Sequence, residues 1–175
     1  LVRGANKGEG LGNKFLSHIR EVDGIAHVVR CFELEDVIHV EGDVNPLRDI
    51  EIIKTELYLS DIEILERRIE KLSKMHNPSN KKILDTMTNI LNNINSGNIL
   101  QDKATLYANL NEEEIKQIEE MNLISMKPFF YIANVSENEI NNKHLTTLNT
   151  VAKQEKREVV VISAKLEEEI AQFAD

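Results

Sequence analysis

The chain has 175 residues, 41% of them hydrophobic and 29% charged, with a formal net charge of -9. That length can bury one good core and a second small one. The acidic balance argues against generic nucleic-acid binding but leaves room for a local basic patch, no stretch approaches the roughly 18 consecutive apolar residues of a membrane span, and a single cysteine, Cys31, excludes a disulfide framework and makes the cytoplasm the expected compartment.

In chain order, the opening segment carries four glycines, Gly4, Gly8, Gly10 and Gly12, within nine residues. Such a backbone can take positive φ and approach a ligand closely. It is costly to order, and a loop of this kind is expected inside a longer chain rather than at its start. Asn13 to Val22 reads as a first helix with Phe15, Leu16 and Ile19 on the face meant for a sheet. Gly24 ends it, and Ile25 to Phe32 has the pattern of a buried parallel strand, within which His27 reads as a packed imidazole. Glu33 to Arg48 is acidic and loop-like, with Gly42 and Asn45-Pro46 as breakers and Val37-Ile38-His39-Val40 as one aliphatic island.

From Asp49 the period changes. Ile50, Ile53, Leu57, Ile62, Leu65, Ile69 and Leu72 recur at helical spacing and predict a long helix with a narrow apolar seam. Asn77-Pro78 stops it. A second helix from Ser79 to Asn95 carries Ile83, Met87, Ile90, Leu91 and Ile94, so the two are expected to form an antiparallel coiled-coil hairpin. Asn111 followed by Glu114 reads as a capping box for a shorter helix to Leu123. Two further strand-like runs, Pro128 to Glu137 and Val159 to Lys165, flank a crossover helix from Asn141 to Glu155, and Leu166 to Ala174 is the last helix. The fold class is α/β. A right-handed crossover needs only one helix, so the helical stretch between the first two strands is expected to be an inserted domain.

Ligands in open α/β sheets sit at the carboxyl ends of the strands, where Asn134-Val-Ser-Glu137 and Ser163-Ala-Lys165 would lie. The run LVRGANKGEGLGNKFLSHIREVDGIAHVVRCF, then Ile38-His39-Val40, Asn45-Pro46-Leu47 with Asp49-Ile50-Glu51, and Ala133-Asn134-Val135-Ser136-Glu137 together resemble the YchF family, also called Obg-like ATPases. These are P-loop nucleoside triphosphatases of the translation-factor-related group. The resemblance runs in order over essentially the whole chain. The Obg GTPases share the glycine-rich loop and its helix but not the HVVRCF strand or the downstream IHV.

The resemblance implies a partial P-loop NTPase (G-domain) sheet with the helical hairpin inserted in it. Residues 1-48 would hold the C-terminal part of switch II, a helix and a strand; 49-126 would be the insertion; 127-175 would carry the base-recognition motifs. The family's phosphate-binding loop would lie upstream of Leu1 and its TGS domain downstream of Asp175, so this stretch alone is expected to be inactive. Leu1, Gly4, Gly8, Gly10 and Gly12 resemble switch II, with Leu1 at the place where many GTPases have a water-orienting Gln. An apolar side chain cannot orient water. His39 matches the family histidine to which hydrolysis is attributed, and an imidazole near its ordinary pKa of about 6.5 can bond an attacking water. Taken without the family, His39 reads rather as a surface loop histidine with no task.

Ordinary GTPases carry Asn-Lys-x-Asp where this chain has Asn134, Val135, Ser136 and Glu137. The Asn amide pairs with the purine, and the Asp carboxylate accepts two bonds from guanine. Glu137 reaches one methylene further, and adenine lacks the two donors, so the resemblance implies ATP in preference to GTP. Ser163, Ala164 and Lys165 would form the other wall of the base pocket. The Ser-Ala-Lys wording is closer to ordinary GTPases and weakens strict ATP selectivity; Lys165 with the acids Glu167 to Glu169 also suits a solvated first helical turn. At the hairpin tip Arg67, Arg68, Lys71, Lys74, Lys81 and Lys82 stand against Glu70 alone. Such a tip can contact a phosphate backbone or be an ordinary solvated end, and the resemblance suggests ribosomal RNA as its partner. No aromatic side chain interleaves for base stacking.

No Cys/His cluster has metal-ligand spacing. Mg²⁺ is expected with the nucleotide, held by the nucleotide itself and the phosphate-binding loop. The implied function is a ribosome-associated triphosphatase converting ATP, and less selectively GTP, to ADP and phosphate. Two alternatives stand beside it: an Obg-type GTPase, and a ribosome- or RNA-binding adaptor with a vestigial nucleotide site.

Overall fold

A computed structural model describes residues 11–33, 43–75, 77–97 and 103–173. Its elements in order are α1 (Leu11–Glu21), β1 (Ile25–Arg30), α2 (Pro46–Ser73), α3 (Lys81–Asn95), α4 (Lys103–Tyr107), α5 (Glu112–Glu119), β2 (Phe129–Asn134), α6 (Lys143–Glu155), β3 (Val159–Ile162) and α7 (Ala164–Gln172). They form two compact units. A sheet unit combines residues 24–52 with 128–175, and a helical unit combines the described residues up to 23 with 53–127.

In the sheet unit β2 is the middle strand, paired parallel with β1 from Ile25↔Phe129 to Arg30↔Asn134 and with β3 from Tyr131↔Val159 to Asn134↔Ile162. Parallel neighbours need a crossover, and α6 supplies it between β2 and β3. Leu145, Leu148 and Ala152 of α6 pack with Val29, Tyr131 and Ala133 in one core. Parallel sheets are normally covered on both faces. Here Val28 and Val160, which point away from that core, are 58% and 47% exposed. His27 is packed between aromatic rings, 5.9 Å from Phe129 and 5.7 Å from Tyr131 by centroid, as its place in an apolar strand predicts. Cys31 is free and fully buried, and burial pushes its thiol pKa up to about 11.

Asn45-Pro46, read from the sequence as a breaker, is instead the start of α2. The Asn45 side chain accepts from Arg48 N–H (3.1 Å), its carbonyl accepts from Asp49 N–H (3.0 Å), and Pro46 takes the first helical position, where its missing N–H costs nothing. Ile50 of this first stretch belongs to the sheet core, while the helix from residue 53 onward belongs to the helical unit.

In the helical unit α2 and α3 form the expected hairpin, with Leu65 and Leu72 packed against Ile83, Met87 and Ile90. Asn77 caps the turn by accepting from Ser79 N–H (3.0 Å) ahead of a short 3-10 turn, Pro78–Asn80. Gly97, at φ +71°, follows α3 in the left-handed conformation that glycine adopts without strain. The Asn111/Glu114 capping box forms in both directions at 2.9 Å. Helix α4 had no counterpart among the elements expected from sequence.

Helix α1, expected on the sheet, belongs to the helical unit instead. Leu16 is buried there, Phe15 stays largely exposed, and Arg20 accounts for the difference. Its guanidinium donates from Nη1 to Asp61 Oδ1 (2.7 Å) and the Asn122 carbonyl (3.2 Å), and from Nη2 to Ser60 Oγ (2.7 Å). Asp61 on α2 is 0% exposed and also accepts from Ile124 N–H (3.0 Å) and Ser125 N–H (2.7 Å). Burying a carboxylate is tolerable only when it is paired and its lone pairs are used. Arg20 is therefore engaged structurally.

Removing either partner leaves a buried charge or several buried donors without a mate. Asp61→Ala and Arg20→Ala are each expected to lower stability by roughly 3–5 kcal/mol, with a double mutant costing clearly less than the sum. Urea denaturation of the four proteins checks this; additive losses would mean that the two side chains act independently.

Candidate functional site

Because all three strands run the same way, their carboxyl ends open onto one edge. Each delivers a short segment there: Cys31 to Glu33 after β1, Val135 to Glu137 after β2, and Ser163 to Lys165 after β3. The joints between them are hydrogen-bonded. Cys31 N–H donates to the Asn134 carbonyl (2.8 Å), and Val135 N–H donates to the Ile162 carbonyl (2.9 Å).

Asn134 ends the middle strand and is half-buried. Its side-chain Oδ1 accepts from Ala164 N–H at 3.0 Å, which fixes the amide and fastens the two loops together. With Oδ1 used, the Nδ2 group is the end of Asn134 that can donate to a ligand. Ser163 is the N-cap of α7, its Oγ accepting from Leu166 N–H at 3.4 Å. Lys165 Nζ lies 2.5 Å from Glu137 Oε1 and 3.9 Å from Glu169 Oε1. The Glu137 carboxylate beside it holds the Lys165 pKa above its ordinary value. The residues singled out after β2 and β3 thus come together, with one qualification: the Val135 side chain lies in the sheet core, so only its backbone is available to a ligand.

Two neighbours were not singled out in the sequence. Asn142 caps α6 by accepting from His144 and Leu145 N–H, both 2.9 Å, while its Nδ2 donates to the carbonyls of Cys31 (2.8 Å) and Glu139 (2.9 Å). One side chain thereby ties the end of β1, the loop after β2 and the start of α6. Glu33, just beyond β1, accepts from Lys143 Nζ (2.9 Å) and lies 2.8 Å from the His144 ring nitrogen Nε2. Lys143 first, and His144 after it, hold the Glu33 carboxyl below its ordinary pKa.

Gly12 falls in the first turn of α1. Leu1, Gly4, Gly8, Gly10 and His39 lie outside the described residues. The basic residues belong to the helical unit. Arg67, Arg68 and Lys71 are on α2, Lys74 follows its end, and Lys81 and Lys82 open α3. Three of the six have neighbouring partners: Arg67 bonds the Glu63 carbonyl (3.0 Å), Arg68 the Gln117 side chain (3.2 Å) and Lys74 the Glu70 carboxylate (2.5 Å). A groove of about 480 Å³ has Arg67, Arg68, Lys71 and Gln117 in its lining. Lys81 and Lys82 stand exposed in the first turn of a helix with no acid there, where the dipole disfavours cations. Among the described residues no three of His, Cys, Asp and Glu come together as a metal site, and no helix is long and apolar enough to cross a membrane.

A parallel sheet ending in these two loops, with long helices beside it in sequence, defines the α/β class of the P-loop nucleoside triphosphatases. The solved structure of the Schizosaccharomyces pombe YchF GTPase matches it with a TM-score of 0.75 and 30% identity, over 94% of this chain and 46% of that one. Proteins named ribosome-binding ATPase YchF from Haemophilus influenzae, Bacillus subtilis and Mycoplasma pneumoniae are 42%, 42% and 40% identical over 100%, 99% and 98% of the chain. Over its whole length this chain is a YchF-family sequence. It spans about half the length of the curated relatives it matches, 48% of each. No family model matches it.

The Glu33 cluster gives a pH test. A carboxyl whose pKa is lowered on folding stabilises the fold above its ordinary pKa of about 4.3 and loses that contribution as pH falls through the lowered value. Urea midpoints of the wild type and Glu33→Gln should differ most near neutral pH and converge in acid. A gap that persists unchanged at low pH would exclude the charge as its cause.

Proposed function

We propose that the whole protein is a ribosome-associated purine-nucleotide triphosphatase of the cytoplasm, hydrolysing ATP and, less selectively, GTP, to the diphosphate and phosphate. The observation that carries this is the fastening of Asn134 Oδ1 to Ala164 N–H. It leaves the Asn134 amide as a fixed donor at the strand edge, flanked by Glu137 and Lys165, and a fixed donor is what a purine ring acceptor requires. The names carried by the relatives support the same chemistry and a ribosomal partner. Mg²⁺ would enter with the nucleotide. The described residues provide no cluster of three acids, histidines or cysteines for it. His39 is proposed to orient the attacking water, in place of the glutamine position held by Leu1, and the segment containing Gly4, Gly8, Gly10 and Gly12 is proposed to respond to the γ-phosphate.

The ribosomal contact is proposed at the hairpin end. The groove has Arg67, Arg68 and Lys71 against Glu120 in its lining, and two more lysines open α3, an excess of positive charge in a chain of -9. The same observation favours a second reading, an adaptor in which the hairpin acts and the nucleotide site is vestigial.

Titration of the whole protein with ATP and GTP in the presence of Mg²⁺ separates the readings. Saturable binding with ATP tighter supports the triphosphatase, guanine preference supports an Obg-type GTPase, and no binding of either leaves the adaptor. His39→Ala should slow single-turnover hydrolysis while nucleotide affinity is retained; an unchanged rate removes His39 from the mechanism. Replacing Arg67, Arg68, Lys71 and Lys74 together by Ala should abolish ribosome co-sedimentation at the salt concentration where the wild type sediments with it. Sedimentation at the wild-type level would place the contact elsewhere.

A further inference from the structure

We propose that the groove between α2 and α5 receives a protein segment, an apolar side chain flanked by carboxylates, rather than a nucleic-acid backbone. The proposal rests on the reading of the hairpin end as a ribosomal contact and adds to it the class of polymer met there.

Two helical stripes make the walls. Ile64, Arg67, Arg68 and Lys71 stand at i, i+3, i+4 and i+7 on α2, the spacing of one helix face. Opposite them are Gln117 of α5 and, just beyond the end of that helix, Glu120 and Met121. The floor is apolar: Ile64 and Met121 are half-buried, pack against the core of the helical unit, and still line the groove. Charge stands at the rim, where Arg67, Lys71 and Glu120 are exposed. Arg68 is half-buried. Its Nη2 donates to Gln117 Oε1 at 3.2 Å, while its buried Nε has no partner among the described residues. One bond thus orients the guanidinium and leaves it donors to spare.

The two kinds of polymer would use this groove differently. A phosphate backbone is held by cations and polar groups and draws its affinity from charge, so Ile64 and Met121 would contribute nothing to it. A single strand would add base stacking, and the lining has no aromatic side chain to stack on. A protein segment engages both parts. An aliphatic or aromatic side chain covers the floor, and carboxylates beside it pair with the Arg68 fork and with Arg67 and Lys71 at the rim. Methionine and arginine are the side chains such interfaces favour, the first because it moulds itself to a partner. Three cations against the one acid Glu120 select an acidic segment over a basic one.

The test is photo-cross-linking of the whole protein, carrying Glu120→p-benzoylphenylalanine, to purified ribosomes. Glu120 is exposed, so the replacement removes no core contact and keeps all three cations. The expected adduct survives ribonuclease and maps by mass spectrometry to a protein segment with carboxylates beside an apolar residue. An adduct that ribonuclease digests, one on a segment without acids, or none from a variant that still co-sediments overturns the proposal. Met121→Gln gives a second reading, independent of the cross-linker. It should weaken ribosome binding by about fivefold, the step that marks an energetically important interface residue, with its urea midpoint measured alongside because Met121 is half-buried. Wild-type affinity in that variant is the result of a purely phosphate contact and overturns the proposal as well. A wild-type protein that does not sediment with ribosomes overturns instead the ribosomal reading beneath it.

Discussion

Parallel pairing on both sides of β2 is the constraint from which the candidate site follows. Strands that run the same way end at the same edge, so three segments far apart in sequence must deliver their loops side by side. Nothing further is needed to bring Asn134 near Ala164, or Glu137 near Lys165, than the register that pairs Asn134 with Ile162. The polar groups then do what buried or half-buried polar groups must, which is to find partners. Asn134 satisfies a helix N-terminus with one end of its amide, and that bond alone dictates which end is left to donate.

The helical unit depends on a different bargain between burial and pairing. Asp61 is the one carboxylate among the described residues that is both wholly buried and met by an arginine and two backbone N–H groups. The arginine comes from α1 and the amides from the short 3-10 turn Ile124–Met126. A network of this kind adds little net stability over a well-packed apolar substitute, but it leaves few alternatives for how its members can be arranged. It ties α1 to α2 and to the 124–126 turn by directed bonds.

Local signals were legible in the sequence, and long-range ones were not. The Asn111 capping box, the hairpin seam and the cores of all three strands are written in neighbouring residues, and each stands within a few residues of where the pattern put it. Asn45-Pro46 carried two meanings, loop breaker and helix start, and the choice depended on whether Ile50 had a core to join. Asp61 illustrates the limit. It lies four residues from both Leu57 and Leu65, on the buried stripe of α2, so its position was a usable signal; its partners are 41 and 63 or 64 residues away and leave no local trace. Asn142 could be suspected as a cap, but its bond to Cys31, 111 residues distant, could not. At the strand ends, residue types singled out two loops that the structure brings side by side, whereas the Glu137–Lys165 pair required the register of β2 and β3.

The lone thiol of this chain offers an internal clock for that joint. Cys31 sits where the end of β1 is bonded to Asn134 on one side and to Asn142 on the other. Its sulfur is shielded, and a pKa near 11 leaves only about one molecule in a thousand as thiolate at pH 8 even before access is considered. Modification by a thiol reagent must therefore wait for the strand end to lift away. Where reclosing outpaces modification, its rate divided by that of the unfolded chain gives the free energy of those openings. The edge of the sheet that would carry the nucleotide thus contains its own probe of how firmly it is closed.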